Sequence, residues 1–263
     1  MSRHANIGLA VAPGGACYQR VIRDSIAAKE PRPTLPRLAA PEVRVIPSRQ
    51  AKEVILKYEW LGTMGRAVIC VGLFDKGELL GAVCFGWPGS PESRDICGSE
   101  HRGKAICLER GACVHWAPKN AGSYLVSHAC ALVRKELGYS IFYAYSDEDA
   151  GEIGTIYQAC NWLYLGQGLG RTPGRLREYF ELPCGKILSS RSLRHQGLTK
   201  IQALALGWVV KYQKPKHKYI WFEGSKRERK ALRAALRYAP KSYPKRLPAV
   251  DERSRRGARG DSA

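Results

Sequence analysis

The sequence predicts an α/β fold, in which a mixed central sheet is flanked by helices. Two β-rich runs between Arg66 and Trp87 surround the turn DKGE, where Gly77 allows a hairpin. A later segment, GSYLVSHACALVRKELG, repeats apolar residues at intervals of three and four and stops at Gly138, which is typical of a helix. The strand-like run 139–146 follows directly. An antiparallel hairpin therefore precedes a strand–helix–strand unit.

The other elements are predicted in chain order. EVRVIP is a first short strand, and Ser48 is the expected N-cap of a helix that ends near Gly62. The run 104–115 is a strand that ends before Pro118, and Gly111 within it suggests a β-bulge or a close approach by another backbone or a ligand. GTIYQACN is a short helix, and NWLYLGQG and REYFELPCGKIL are two more strands. The predicted order is β, α, β, β, β, α, β, α, β, β.

Composition divides the chain into four regions. Residues 1–41 are rich in Gly, Pro and Ala, which predicts an extended or disordered lead-in. Residues 42–190 are expected to form the main folded domain. A basic, helical and aromatic extension is expected over 191–246, and a disordered basic tail over 247–263.

The net charge of +20 is concentrated toward the C-terminus, because residues 186–263 contain 21 Lys and Arg but five acidic residues. Basic residues interleaved with aromatic ones predict a surface that binds nucleic-acid phosphates and stacks on bases. A solvated helix face with a basic tail is the alternative.

Several classes of protein are not supported. No apolar run approaches the roughly 18 to 20 residues that span a bilayer, so a membrane role is not expected. Nine cysteines without framework spacing, and no apolar N-terminal signal region, indicate a reducing compartment and a cytoplasmic protein. A metal site is not expected either, because the Cys and His residues between Cys97 and His115 lack C-x-x-C spacing.

Acidic residues follow the strand that ends at Ser146. Asp147 is the first candidate for a general base, because a carboxylate beside other acids at the end of a strand can have a raised pKa. Glu148, Asp149 and Glu152 come next in the chain. An exposed acidic turn without a catalytic role is the alternative.

The short helix after this turn carries further candidates. Tyr157 and Asn161 are expected one turn apart on one face, with Gln158 beside them. The tyrosine would donate to a leaving group or an oxyanion, and Asn161 would orient the acyl amide or the base edge. A polar tie at a tight helix–strand junction is the alternative.

Aromatic and cationic candidates lie earlier in the chain. Tyr58 and Trp60 are expected to form walls that stack an extruded base, with core packing as the alternative. Arg110 stands in an apolar strand and therefore needs a partner if it is buried. Asp147, Glu109 or the substrate would supply that partner.

The segment Lys119–Ser123 opens the long helix and is a candidate anion site. The Lys119 ammonium and the backbone amides of Asn120, Ala121, Gly122 and Ser123 would face a pyrophosphate, because a helix N-terminus offers unpaired N–H groups. The pattern Arg/Gln-x-x-Gly-x-Gly/Ala that is usual for acyl-CoA binding is missing here. A helix cap without a ligand is the alternative.

The run IFYAYSDEDAGEIGTIYQACNWLYLG, residues 141–166, resembles the central motif of the phage Mom-like DNA modification proteins. In that family a strand ending in a small-aromatic-Ala/Ser-Asp pattern leads into IYQA-x-N-W-x-Y-x-G. The resemblance covers about residues 54–194 through KYEWLGTM, LERGACV and PKNAGSYLVS, and KPKHKYIWF and YPKR also look like the family. Glu152 and Lys57 depart from it, since His is expected at both positions.

The resemblance implies a GNAT-like catalytic domain over residues 42–190, with the ligand between two splayed parallel strands, 104–115 and 139–146. It implies transfer of a small acyl or glycinamide-like (carbamoylmethyl) group to the exocyclic amine of adenine, which protects phage DNA from restriction in the host cytoplasm. Double-stranded DNA would be the partner, and an acyl-CoA such as acetyl-CoA would be the small activated donor.

The candidate site residues then fall into two groups. The catalytic group is Asp147, Tyr157, Asn161, Tyr58 and Ser146, and the substrate-binding group is Trp60, Arg110, Gln158, Lys214, Lys216, Lys218 and Tyr219. An acetyltransferase acting on a protein or a small amine, and a non-catalytic DNA-binding protein, are the alternatives.

Overall fold

The computed structural model describes residues 17–168, 176–185 and 187–245. The strands are β1 Pro41–Val45, β2 Ile69–Asp75, β3 Glu78–Gly86, β4 Ala105–Cys113, β5 Ile141–Ser146, β6 Leu163–Gln167, β7 Arg177–Glu181, β8 Ile187–Ser189, β9 Val209–Gln213 and β10 His217–Phe222. The helices are α1 Tyr18–Lys29, α2 Ser48–Tyr58, α3 Pro91–Arg94, α4 Ala121–Leu137, α5 Thr155–Ala159, α6 Ser190–His195, α7 Lys200–Ala205 and α8 Lys226–Ala234. Two 3₁₀ turns cover Ser99–Lys104 and Glu148–Ala150.

Seven strands form the central sheet, in the order β1-β2-β3-β4-β5-β10-β6. The pair β4–β5 is parallel, and its pairing runs from Ala105 opposite Ile141 to Leu108 opposite Ala144. Both strands continue beyond these residues without pairing to each other, so they splay apart. This confirms the predicted α/β class, a mixed central sheet flanked by helices, and the splayed pair is the expected one.

Helices cover both faces of this sheet. Successive residues of β4 and β5 belong to different hydrophobic clusters, because side chains alternate across a strand. Ile106 and Phe142 face the cluster that includes α2 and α4, whereas Cys107 and Tyr143 face the cluster that includes Leu232 of α8. The central strands are therefore buried on both sides, which explains their nearly continuous apolar sequences.

The prediction that residues 1–41 are extended or disordered is wrong for residues 18–29, which form α1. Its Pro residues cluster from Pro31 onward, so the segment before them keeps the backbone donors that a helix needs. Ile26 packs against the main hydrophobic cluster, and Glu30, just after the helix, accepts from Lys57 Nζ at 2.6 Å. The N-terminal segment thus packs against the domain.

The prediction that the main folded domain ends at residue 190 is wrong, because the central sheet includes a later strand. Strand β10 lies between β5 and β6 and is antiparallel to both, with Tyr219 and Ile220 fully buried. The residues between β6 and β10 form a second sheet, β8-β7-β9, with α6 and α7. The expected helical extension over 191–246 therefore contains two strands, one of them central to the fold. The expected tail over 247–263 lies outside the described residues.

Two local predictions are corrected as well. Ser48 is the first residue of α2, and Pro47 is its N-cap, with its carbonyl accepting from Gln50 N and Ala51 N. The bulge in β4 falls at Glu109 and not at Gly111, because Phe85 pairs with Leu108 and Cys84 with Arg110. The bulge lies where β4 leaves β5. Among the described helices, none has the length and apolarity to cross a bilayer.

Candidate active site

Three carboxylates from separate parts of the chain interact near the splayed ends of β4 and β5. Asp147 directly follows β5, Glu152 lies in the loop before α5, and Glu59 directly follows α2. The charges of Glu59 and Asp147 both act on Glu152 and help to raise its pKa. Lys216 and Arg110 are the cations of this group, which we call the carboxylate cluster.

Glu59 is one of the two buried members of the cluster, with Asp147. Its side chain is buried, and burial raises its pKa to about 7, against the opposing charge of Arg110. One carboxylate oxygen accepts from Leu61 N at 2.9 Å and lies 3.8 Å from Arg110 Nε. Sequence reasoning missed this residue, although it follows Tyr58 directly in KYEW.

Glu152 also has a raised pKa, although it keeps some contact with solvent. Burial raises its pKa to about 7, and the charges of Glu59 and Asp147 add to the increase. The Cys17 thiol, just before α1, lies 3.8 Å from Glu152 Oε1. Two interacting carboxyl groups that titrate near neutrality can hold one proton between them, so one is able to accept a proton at neutral pH.

The raised pKa of Glu59 predicts that stability depends on pH. The folded protein holds a proton that the unfolded chain releases between pH 4.5 and about 7, so the free energy of unfolding falls as pH rises through this interval. We expect Glu59→Gln to remove on the order of 2 kcal/mol of this dependence. Urea unfolding at pH 5 and pH 8 measures it, and an equal dependence in both proteins contradicts it.

Asp147 has structural partners on both oxygens. Its Oδ2 lies 3.0 Å from Lys216 Nζ, and its Oδ1 accepts from Asp149 N at 3.1 Å, which caps the 3₁₀ turn. The side chain is buried. This geometry gives Asp147 a role in holding the turn, so its role as a general base remains a prediction, and Glu152 is the stronger candidate.

Ser146 and Tyr157 lie close to the cluster. Ser146 Oγ is buried and has no hydrogen-bond partner among the described residues. Burial raises the pKa of Tyr157 well above its ordinary value, and the charge of Glu152 adds to this. The Tyr157 hydroxyl therefore stays protonated and able to donate. An unpaired buried hydroxyl such as that of Ser146 is costly, and a ligand is one way to satisfy it.

Tyr58 and Trp60 differ in how far their side chains are buried. The Tyr58 ring is buried and its hydroxyl lies 3.1 Å from His115 Nδ1, so the expected role as a stacking wall is wrong and core packing is correct. Trp60 stays partly exposed, and Tyr18 of α1 stacks on it with 6.1 Å between centroids. Gln19 ties the two segments together by donating to Tyr58 O at 2.7 Å and accepting from Trp60 N.

Asn161 does not share a helical face with Tyr157, contrary to expectation. Helix α5 ends at Ala159, and Asn161 follows it with a φ of 58°, a left-handed conformation that Asn tolerates better than most residues. Its side chain is exposed. Gln158 donates to Ile153 O at 3.0 Å and to Tyr219 OH at 3.2 Å, so it anchors the loop before α5.

Arg110 is held by groups that follow α2. Its guanidinium donates to Thr63 O at 2.9 Å and Thr63 Oγ1 at 3.1 Å, and Glu59 is its carboxylate partner. It also donates to the backbone carbonyl of Glu109. The expected carboxylate partner, Asp147 or Glu109, is therefore replaced by Glu59, because the chain after α2 folds against β4.

The cations of KPKHKYIWF are paired with groups of the fold, and Lys218 is buried as well, which corrects the prediction that this segment is an open phosphate surface. Lys214 Nζ binds Glu148 at 2.7 Å, and Lys216 binds Asp147. Lys218 is buried, donates to Ser93 Oγ at 3.0 Å and has its pKa lowered to about 8 by burial. Tyr219 lies in the core. The reason is that β10 is a central strand.

The candidate anion segment opens α4 as expected. Asn120 is the N-cap without a side-chain hydrogen bond, and Ser123 Oγ donates to Asn120 O at 3.1 Å. Lys119 and Asn120 are exposed, and the first-turn amides cannot be satisfied by helix carbonyls. Gly122 faces α5, since a Cβ there would lie 3.0 Å from Ile156 Cδ1.

Gly154 allows the loop before α5 to pack on Tyr219. Its φ is +75°, and a Cβ would overlap the Tyr219 ring. We expect Gly154→Ala to cost about 2 kcal/mol or more, because steric overlap adds to backbone strain. Gly77→Ala is the matched control, since its φ is +83° and no atom lies within 4 Å of its Cβ. Equal losses in urea unfolding would contradict the packing argument.

The fold and the cluster define a class of α/β proteins whose mixed sheet opens between two parallel strands, with ionisable groups near the opening. The model of the Mom protein family matches residues 41–245, and the chain belongs to that family. The comparison with curated proteins gives no match.

Solved structures with a similar fold include an IAA acetyltransferase from Bacillus cereus, at 12% identity, a TM-score of 0.36, and 70% of this chain and 100% of that one covered. A Bacillus subtilis acetyltransferase in complex with CoA aligns at 11% identity with a TM-score of 0.37, and the alignment covers 70% of this chain and 99% of that one. A spermidine/spermine N-acetyltransferase from Vibrio cholerae aligns at 8% identity with a TM-score of 0.37, and the alignment covers 70% of this chain and 92% of that one.

Proposed function

We propose that this protein is a DNA-modifying transferase that attaches a small acyl or carbamoylmethyl group to the exocyclic amine of adenine. Membership of the Mom family supports DNA modification as the setting. The carboxylate cluster is the observation that carries the chemical step, because an aromatic amine is a poor nucleophile and must lose a proton as it reacts. Protection of phage DNA from restriction enzymes would be the consequence.

For an acyl group the proposed donor is an acyl-CoA, which supplies an activated acyl carbon and a thiolate leaving group, whereas a carbamoylmethyl group is bonded through CH₂ and would need a donor with a leaving group on that carbon. The chemistry of the α4 N-terminus fits the anionic part of this donor. Lys119 and the amides of Gly122 and Ser123 would hold the phosphates there. The buried, unpaired Ser146 Oγ is a polar group available to a bound ligand. Ile156 lies against Gly122, so the phosphates would lie on the other side of this turn.

Residues of the cluster have distinct parts in the proposed reaction. Glu152, in its carboxylate form, accepts the proton that the adenine amine loses, and Glu59 keeps the remaining shared proton. Tyr157 has a pKa well above its ordinary value, so its hydroxyl can donate to the leaving group. Arg110 positions Glu59 at 3.8 Å, and Lys216 holds Asp147. Trp60 is the aromatic surface that remains for stacking an extruded base.

DNA affinity is proposed to come from α8 instead of Lys214, Lys216 and Lys218, which are paired with groups of the fold. This helix exposes Lys226, Arg227, Arg229, Lys230 and Arg233, and Leu232 is its buried contact. Five cations on a short helix form a surface that phosphates would bind, because each contact releases counterions. The residues of this surface are separate from the carboxylate cluster.

A double substitution tests the helix. We expect Arg227→Ala with Lys230→Ala to reduce the slope of log affinity against log salt by about 2 and to weaken duplex binding at all sequences alike. Lys52→Ala with Arg49→Ala on α2 is the matched control, because both residues are exposed. Fluorescence anisotropy with a labelled duplex measures the slope. An unchanged slope in the α8 variant would remove this helix from the interface.

The proposed reaction is tested on bulk DNA. The protein is expressed in bacteria, the DNA is digested to nucleosides, and modified nucleosides are identified by mass spectrometry. An adduct on deoxyadenosine that disappears in Glu152→Gln is expected. Acylated protein or polyamine without a DNA adduct would favour an ordinary acetyltransferase, and no adduct of any kind would favour a non-catalytic DNA-binding protein.

A further inference from the structure

A second cleft lies at the other end of the splayed strand pair. It has a volume of about 760 Å³ and is lined near the start of β4 by Arg66, Trp87, Arg94, Arg102 and Tyr139. The carboxylate cluster lies near the far ends of β4 and β5, where Arg110 and Asp147 are found. No residue of the cluster lines this cleft.

Trp87 is an exposed aromatic ring held in a defined position. Its side chain is 63% exposed, although an indole is costly to leave in water. The indole Nε1 donates to Tyr139 OH at 3.3 Å, so the ring is tied to the residue that precedes β5. A fixed, exposed indole is well suited to stack on a planar ring.

Guanidinium groups outnumber carboxylates around this ring. Asp95 binds Arg102 in a bidentate manner, at 2.6 and 2.7 Å, and Arg102 lowers the pKa of Asp95, with smaller contributions from Arg237 and Arg94. Three arginines, Arg66, Arg94 and Arg102, line the cleft, and no acidic residue is among the described residues that line it. Such an excess of cations favours an anion.

Arg66 has a defined place in the lining of the cleft. It contacts Glu109 at 3.5 Å and lies against Gly89, where a Cβ would come within 2.6 Å of Arg66 Nη2. The absence of a side chain at Gly89 thus allows the guanidinium to lie over the backbone. The cleft combines a stacking ring with positioned cations, which is the chemistry that recognises a nucleotide.

The segment that lines the cleft packs against the chain at the C-terminal end of the basic helix α8. The backbone of Arg237, just after α8, donates to Ile96 O at 3.0 Å, and Ile96 belongs to the same hydrophobic cluster as Leu232 of α8. The segment that carries Arg94 and Arg102 is therefore packed against the end of α8. A strand whose phosphates lie along α8 would reach the cleft without leaving the basic surface.

We propose that this cleft binds an unpaired nucleotide of a DNA strand, with the base stacked on Trp87 and the adjoining phosphates on Arg94, Arg66 and α8. An unpaired nucleotide outside a duplex can offer a free face to Trp87, whereas both faces of a base inside a duplex are stacked on its neighbours. A free nucleotide has the same chemistry but would not use α8. This site goes beyond the proposed reaction, since it is separate from the carboxylate cluster.

The test measures binding of the full chain to a short labelled oligothymidylate and to a strand of equal length without bases, by fluorescence anisotropy at several salt concentrations. Trp87→Leu is expected to weaken oligothymidylate binding by about 5- to 150-fold, the range for one stacked base, and to leave binding of the baseless strand unchanged. Arg94→Gln should lower the salt slope by about 0.7 for both strands. Arg49→Gln, an exposed arginine of α2, is the control.

Three results would overturn the proposal. Equal affinity of wild type and Trp87→Leu for oligothymidylate would show that Trp87 does not stack on a base. Equal losses of affinity for oligothymidylate and for the baseless strand would show that the substitution does not act through base stacking. If adenosine monophosphate binds and depends on Trp87 while oligothymidylate binding does not, the site takes free nucleotides. No donor is added and no modification is measured, so the outcome is independent of the proposed reaction. Thermal unfolding checks that each variant is folded.

Discussion

Deletion of residues 211–263 is expected to leave a chain that does not fold, even though most of the formal charge and none of the predicted catalytic residues lie there. The deletion removes β10, which pairs with β5 on one side and β6 on the other. It exposes backbone donors and acceptors of both neighbours and removes the fully buried Tyr219 and Ile220. These losses together exceed the roughly 5 to 15 kcal/mol by which a domain is stable.

Circular dichroism and urea unfolding measure this result. The control is a chain ending at residue 245, which keeps every described residue, including Tyr243, whose hydroxyl donates to Trp162 O at 2.8 Å. We expect the control to unfold cooperatively. Cooperative unfolding of the chain ending at residue 210 would show that β10 is dispensable. DNA binding by the C-terminal region is consequently better studied with point substitutions on α8 than by truncation.

Glu152→Gln is expected to lower the rate of DNA modification by about 10²- to 10⁴-fold, because the amide keeps the shape of the side chain but cannot accept a proton. In the wild type the rate should rise with pH through about 7, as the carboxylate forms, and the variant should lose this rise. Rates are measured on purified protein with duplex DNA and acetyl-CoA across this interval.

Two further variants make the result specific. Glu148→Gln changes a nearby acid that pairs with Lys214, and its pKa is lowered, so modification should be nearly unaffected. Asp147→Asn breaks the pair with Lys216 and is expected to reduce stability. If Asp147→Asn stays as stable as the wild type and loses activity while Glu152→Gln keeps it, Asp147 is the base and Glu152 is not.

Local features of the chain were predictable because neighbouring residues determine them. The hairpin around Gly77, the long helix ending at Gly138 and the strand before Asp147 all follow from periodicity and turn residues. The N-terminal helix was missed, since the Pro-rich run after Lys29 dominated the composition of the whole lead-in. The sequence also placed Asp147 and Glu152 in one acidic turn, but it favoured Asp147 as the base because the burial of Glu152 depends on tertiary packing.

Tertiary structure alone decided which carboxyl groups have raised pKa values. Glu59 and Glu152 are distant in sequence, and their pKa values rise because packing after α2 and before α5 removes them from water. The same is true of Lys218, which reads as part of an exposed basic run until β10 is placed between β5 and β6. Sequence determined the elements and the family resemblance, because these depend on short-range patterns. Burial, pairing and charge partners depend on contacts between distant segments, and only the folded chain supplies them.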